Sequence, residues 1–241
     1  MGRLDIGEFE GNAVLTSLTG LENVTYIGGT LSIGYNDSLS SLTGLDNVTF
    51  IGEWLGIHSN SSLSSLSGLD NLTSIGEGLM IWHSNSLINL SGLDNLTSIG
   101  GYLWIGGNNA LINLTGLDNL ISIEGKLEII INDALTSLTG IESIDANTIN
   151  ELNIWENISL STCEVQSVCE YLAAPSGTIE ILYNATGCNS QSEVEAACGV
   201  LVQENDSEPI FTFYPNPANN YIIIDLKELK DNLNVGVYSL L

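Results

Sequence analysis

Basic residues are nearly missing from this chain. Arg3, Lys126, Lys227 and Lys230 are the only four, against 29 Asp and Glu, for a formal net charge of −25 over 241 residues. Phosphate backbones and anionic lipid surfaces are held by clustered Lys and Arg, so nucleic acid and anionic membrane are poor partners. Cationic and neutral partners stay open. Histidine is as scarce, at His58 and His83 alone. Glycine-rich phosphate loops, G-x-S-x-G elbows and H-E-x-x-H pairs are absent. Carboxylates are plentiful, but acid–base catalysis needs a pair with divergent environments, and a repeat supplies near-identical ones. The expectation is a protein that is not an enzyme. Long apolar runs are missing too: none approaches the roughly 18 residues of a membrane-spanning helix, so no membrane insertion is expected. The opening MGRLDIGEFEG lacks a signal-peptide layout, so an export signal would lie upstream of this chain.

What is present is a repeat. The pattern L-x-I recurs at Leu31/Ile33, Leu55/Ile57, Leu79/Ile81, Leu103/Ile105 and Leu127/Ile129, a period of 24 residues. It continues at Leu152/Ile154 and reaches back to Leu4/Ile6. Between these pairs apolar residues come every third position, as in Leu39, Leu42, Leu45, Val48 and Ile51. An amphipathic helix alternates steps of three and four. A strict step of three drifts around it, and the Gly, Ser, Thr and Asn between disfavour helix further. The pattern instead predicts a mainly β chain, a parallel β-solenoid. Each coil holds a short L-x-I strand, tight corners and a second short strand near T-S-I-G, and about seven coils stack roughly 4.8 Å apart.

Two polar columns keep the same register. Asn12, Asn36, Asn60, Asn108, Asn132 and Asn157 share one position, with Ser84 the exception; stacked asparagines bond along such a column and satisfy corner backbone groups. Glu22, Asp46, Asp70, Asp94, Asp118 and Glu142 form the other. Like charges one coil apart repel by about 0.9 kcal/mol even in water. Either each carboxylate accepts turn N–H groups, or Asp46, Asp70, Asp94 and Asp118 bind Ca²⁺, which wants six to eight converging oxygens. No other cofactor is indicated.

The run L-x-x-L-x-G-L-[DE]-N-[LV]-T-x-I-G-G-x-L-x-I, clearest at LTGLENVTYIGGTLSI and LSGLDNLTSIGGYLWI, resembles the receptor L-domain over roughly residues 4–160. The resemblance implies a right-handed, leucine-rich-repeat-like β-helix that recognises ligands. The solenoid is expected over 1–160, a cysteine-containing cap over 161–200, a linker over 201–210 and a partial β domain over 211–241. In the cap, CEVQSVCEYLA reads as a helix, TIEILYN as a last strand and SEVEAAC as another helix. Cys163, Cys169, Cys188 and Cys198 are spaced by 5, 18 and 9 residues, unlike the paired short gaps of zinc sites, and suit disulfides in an oxidising compartment. Four cysteines allow three pairings. Stacking Ile179/Ile181 on Leu152/Ile154 brings Cys188 near Cys163, which leaves Cys169 for Cys198. Residues 211–241, with Tyr214-Pro-Asn-Pro-Ala218 followed by YIIIDL and NVGVYS, resemble the C-terminal sorting domain of Bacteroidetes type IX secretion. That resemblance implies contact with secretion machinery and a secreted or cell-surface location. The family's domain runs on for several more strands, so both ends of the chain look cut.

Aromatic placement carries the functional reading. In x-L-x-I-x the Leu and Ile point inward, so their neighbours point outward. Trp54, Trp82, Trp104 and Trp155 all take such outward positions, joined by His58, Met80 and Tyr102. A contiguous exposed aromatic patch marks an interaction site. The expectation is a recognition module that engages a glycan or protein ligand through this face. A self-associating stalk or adhesin spacer is the alternative. A weaker one is ice binding by the column Thr43, Ser67, Ser91, Thr115 and Thr139.

Overall fold

A computed structural model describes residues 2–7 and 11–199, and the backbone of 211–215 and 222–226. The chain divides into two units, Met1–Val200 and Leu201–Leu241. The first is a parallel β-solenoid. Its long sheet takes one strand from each coil in chain order: Leu4–Ile6, Leu31–Gly34, Trp54–His58, Gly78–Trp82, Leu103–Gly106, Lys126–Ile130, Glu151–Trp155 and Ile179–Leu182. Register is uniform, with Leu31 opposite Leu55, Leu79 opposite Leu103, and Leu127 opposite Leu152. A second sheet of five two-residue strands, Tyr26–Ile27, Phe50–Ile51, Ser74–Ile75, Ser98–Ile99 and Ser122–Ile123, forms another wall.

The step of three builds the core. Leu39, Leu42, Leu45, Val48 and Ile51 are fully buried, as are their counterparts Leu63, Leu66, Leu69 and Leu72 one coil on. Turns between them keep the backbone satisfied: the N–H groups of Leu45 and Val48 donate to the carbonyls of Leu42 and Leu45 at 3.1 and 2.9 Å. One turn requires glycine. Gly68 has φ +112°, and a side chain there would run into the Leu42 carbonyl of the preceding coil.

Each long strand is followed by a left-handed residue, among them Tyr35, Ser59, His83 and Ile131. The asparagine column comes next and is buried from Asn36 on, whereas Asn12 is exposed. Asn132 shows the full pattern. Its Oδ1 accepts from the Asn108 N–H at 3.1 Å, and its Nδ2 donates to the Ile105 and Ile130 carbonyls at 3.1 and 2.9 Å. Asn184 extends the column into the last coil, where its Oδ1 accepts from the Asn157 N–H at 3.0 Å. At Ser84 the chain of bonds breaks, and that hydroxyl is buried without a partner.

The cap closes the last coil. Helices α1 (Gln166–Ala173) and α2 (Gln191–Cys198) flank the strand Ile179–Leu182. Disulfides join Cys163 to Cys188 and Cys169 to Cys198, with Cα atoms 5.7 and 5.4 Å apart. A structural zinc site is thereby ruled out, and the bonds point to an oxidising compartment. Among the described residues no helix is long and apolar enough to cross a membrane. In the second unit, Phe211–Pro215 pairs antiparallel with Ile222–Leu226. The first of these strands holds Tyr214 and Pro215, and among the described residues the apolar strand pairs with it. The expected linker 201–210, the rest of the Tyr-Pro-Asn-Pro-Ala run and the strand NVGVYS lie outside the described residues.

Candidate functional site

The outward positions of the long sheet form three columns. Thr30, Trp54, Gly78, Tyr102, Lys126 and Glu151 make the first; Ser32, Gly56, Met80, Trp104, Glu128 and Asn153 the second; Gly34, His58, Trp82, Gly106, Ile130 and Trp155 the third. Rings from the early coils gather into one cluster. His58 and Trp82 stack with centroids 4.2 Å apart and planes at 11°, and Trp82 and Trp104 stack at 5.4 Å and 15°. Trp54 and Tyr102 meet at 4.3 Å across an intervening glycine, and the Tyr102 hydroxyl donates to Met80 Sδ at 3.1 Å. The tryptophans are half-buried, whereas His58 is buried, pressed between Trp82 and the edge of Tyr35. His58 is thus a wall of the site rather than an exposed contact.

These rings enclose a groove of about 410 Å³. Trp54 and Tyr102 line one side, His58 and Trp82 the other, and Ser32, Gly56 and Met80 the middle column between them. Arg3 and Thr30 also line it. Burial pushes the Tyr102 phenol up from its ordinary ionisation range, and the charges of Glu128 and Glu77 push in the same direction.

Trp155 stands apart from this cluster. Gly106 and Ile130 separate it from Trp82 along the third column, and no ring contact joins it to the others among the described residues. The later part of the face is charged instead. Lys126 Nζ lies 3.1 Å from Glu128 and 3.2 Å from Glu151, and Asn153, with its oxygen toward the ammonium, accepts from it at 2.8 Å. Burial disfavours that ammonium, but the two carboxylates outweigh it and raise its ionisation.

The acidic column has a structural role. Asp46, Asp70, Asp94 and Asp118 each accept the N–H of the glycine two residues earlier at 2.7–2.8 Å, and Glu22 and Glu142 do the same. Among the described residues no three His, Cys, Asp or Glu side chains group to hold a metal ion. Each carboxylate thus serves the turn of its own coil. The adjoining asparagines, Asn47, Asn71, Asn95 and Asn119, add an outer ladder by donating to the carbonyls of Glu22, Asp46, Asp70 and Asp94 at 2.6–2.7 Å. The hydroxyls of Thr43, Ser67 and Thr139 bond within their own coils to Ser41, Ser65 and Ser137.

Sequence reasoning missed Arg3, Thr30, Ser32 and Gly56 as groove residues. The signal was available for Ser32 and Gly56, small residues in register with Met80 and Trp104. Comparison with family models, with curated proteins and with solved structures finds no match.

Proposed function

We propose that this chain is a secreted or cell-surface recognition module that binds a glycan or protein ligand through the aromatic groove of its long sheet. One observation carries the reading: five side chains from three successive coils, Trp54, His58, Met80, Trp82 and Tyr102, line one concavity on the outer face, and Trp104 stacks on Trp82 beside it. Concave, largely apolar sites with a few polar groups are where ligands bind, and aromatic anchors dominate interface energies. The resemblance to the receptor L-domain favours recognition over catalysis. Export rests on the disulfide-bonded cap and on the resemblance of residues 211–241 to a sorting domain, which would engage the secretion machinery.

A self-associating stalk is the second reading, favoured by Ile88 and Ile112, half exposed on adjacent coils. A glycan-array screen run beside light scattering separates the two. A saturable glycan or protein ligand on a monomer supports recognition. Concentration-dependent assembly with no ligand supports the stalk.

A further inference from the structure

The strand face carries four glycines at outward positions within its strands, and three of them are dictated by packing. A side chain at Gly34 would collide with the His58 ring and one at Gly78 with Trp54; at Gly106 a Cβ would lie 3.0 Å from Trp104 Nε1. Gly56 differs. A Cβ there meets nothing nearer than 3.9 Å, at the edge of Trp82. Glycine inside a strand forgoes side-chain packing and loses more conformational freedom on folding than any other residue. At Gly56 no neighbour uses the space gained; it opens into the groove.

Charge identifies an occupant. Aromatic walls present electron-rich faces to a cation, and Trp is the best of them. The rim is acidic: Glu53 accepts from the Thr30 hydroxyl at 3.2 Å at one edge, and Glu77 acts on Tyr102 at the other, where Lys126 offsets the charge of Glu128. Arg3 lines the groove at one edge, and Asp5, 2.5 Å from its Nε, offsets its charge. A net charge of −25 repels anionic ligands and steers a basic partner toward the chain.

We infer that the groove receives an arginine side chain of a basic protein partner, seated over Gly56 between the Trp54 and Trp82 walls. This rests on reading the aromatic face as a binding surface. Arginine fits because its planar guanidinium stacks on aromatic rings and is weakly hydrated.

The test uses a peptide of four Arg-Gly-Gly repeats, its counterpart with citrulline at every arginine, and cellohexaose. Each is titrated against the full chain in about 0.15 M salt, where surface charge is screened beyond roughly 8 Å. Tryptophan fluorescence reports binding. The arginine peptide is expected to bind at least about fivefold more tightly than the citrulline peptide, the lower range of a cation–π contact. Gly56→Val, which fills the groove floor, and Trp54→Ala, which removes a wall, should each lower that affinity by a similar factor. If Gly56→Val fails to fold, Trp54→Ala alone decides. Equal binding of the citrulline peptide overturns the inference. So does arginine-peptide binding that ignores both substitutions, since that is general charge attraction. Cellohexaose binding that these substitutions abolish, without arginine-peptide binding, removes the cationic assignment and leaves the binding face standing. If no probe responds to either substitution, both fall.

Discussion

At the scale of single residues, the buried asparagine column shows how one carboxamide serves two coils. From Asn60 on, each Oδ1 takes an N–H and each Nδ2 gives to a carbonyl, groups the solenoid corner leaves unpaired. A buried polar group without a partner costs about 1–3 kcal/mol, so Asn132→Ala should lower stability by at least about 2 kcal/mol, read by chemical denaturation. Ser84 interrupts the column, and Ser84→Asn should raise stability by about 1 kcal/mol, the net worth of a typical hydrogen bond. A fall would mean that this coil has no room for the carboxamide. Glu22 makes a pH-dependent contribution. Hydrogen bonds from backbone N–H groups, that of Gly20 first, hold its carboxyl below the usual range. With the folded-state ionisation depressed, its contribution is present above the unfolded value of about 4.3 and is lost as pH falls through the folded value. Stability measured from pH 7 to pH 3 should fall on acidification, and Glu22→Gln should flatten part of that fall.

At the scale of elements, the strands and the cap answer to different signals. A 24-residue period with inward Leu and Ile made both sheets and their register legible, because a slip of one residue would expose every core leucine. Helices α1 and α2 were legible as short apolar-patterned segments after the repeat ended. The groove was not. Which way Trp54 and His58 lean depends on glycines one coil away, at Gly78 and Gly34, and a reading that places residues on faces does not orient their rings. Trp155 was assigned to the same face correctly but lies beyond Gly106 and Ile130, outside the cluster. In the cap, Cys163–Cys188 ties the last coil to the one before it, and Cys169–Cys198 ties α1 to α2. Removing a native disulfide from a small module typically costs about 2–5 kcal/mol. Reduction should lower the melting temperature of the chain, with the cap opening first by hydrogen exchange. Unchanged protection of α1 and α2 after reduction would show that packing alone holds the cap.

At the scale of the whole molecule, a uniform scaffold presents one non-uniform face. Repetition supplies the core, the asparagine column and the capped carboxylates, and the departures from repetition gather on the long sheet: aromatic rings over the early coils, the Lys126 ion group over the later ones. Under the proposed function those rings serve binding rather than folding. The direct measurement is made on the double variant Trp82→Ala/Trp104→Ala, following melting temperature and affinity for the ligand identified by screening. The expected result is a melting temperature close to that of the unaltered chain, since half-buried outward rings leave no core cavity, and an affinity loss of at least about 2 kcal/mol, the size of an interface hot spot. A double variant that unfolds, or one that folds and binds as tightly as before, would contradict it.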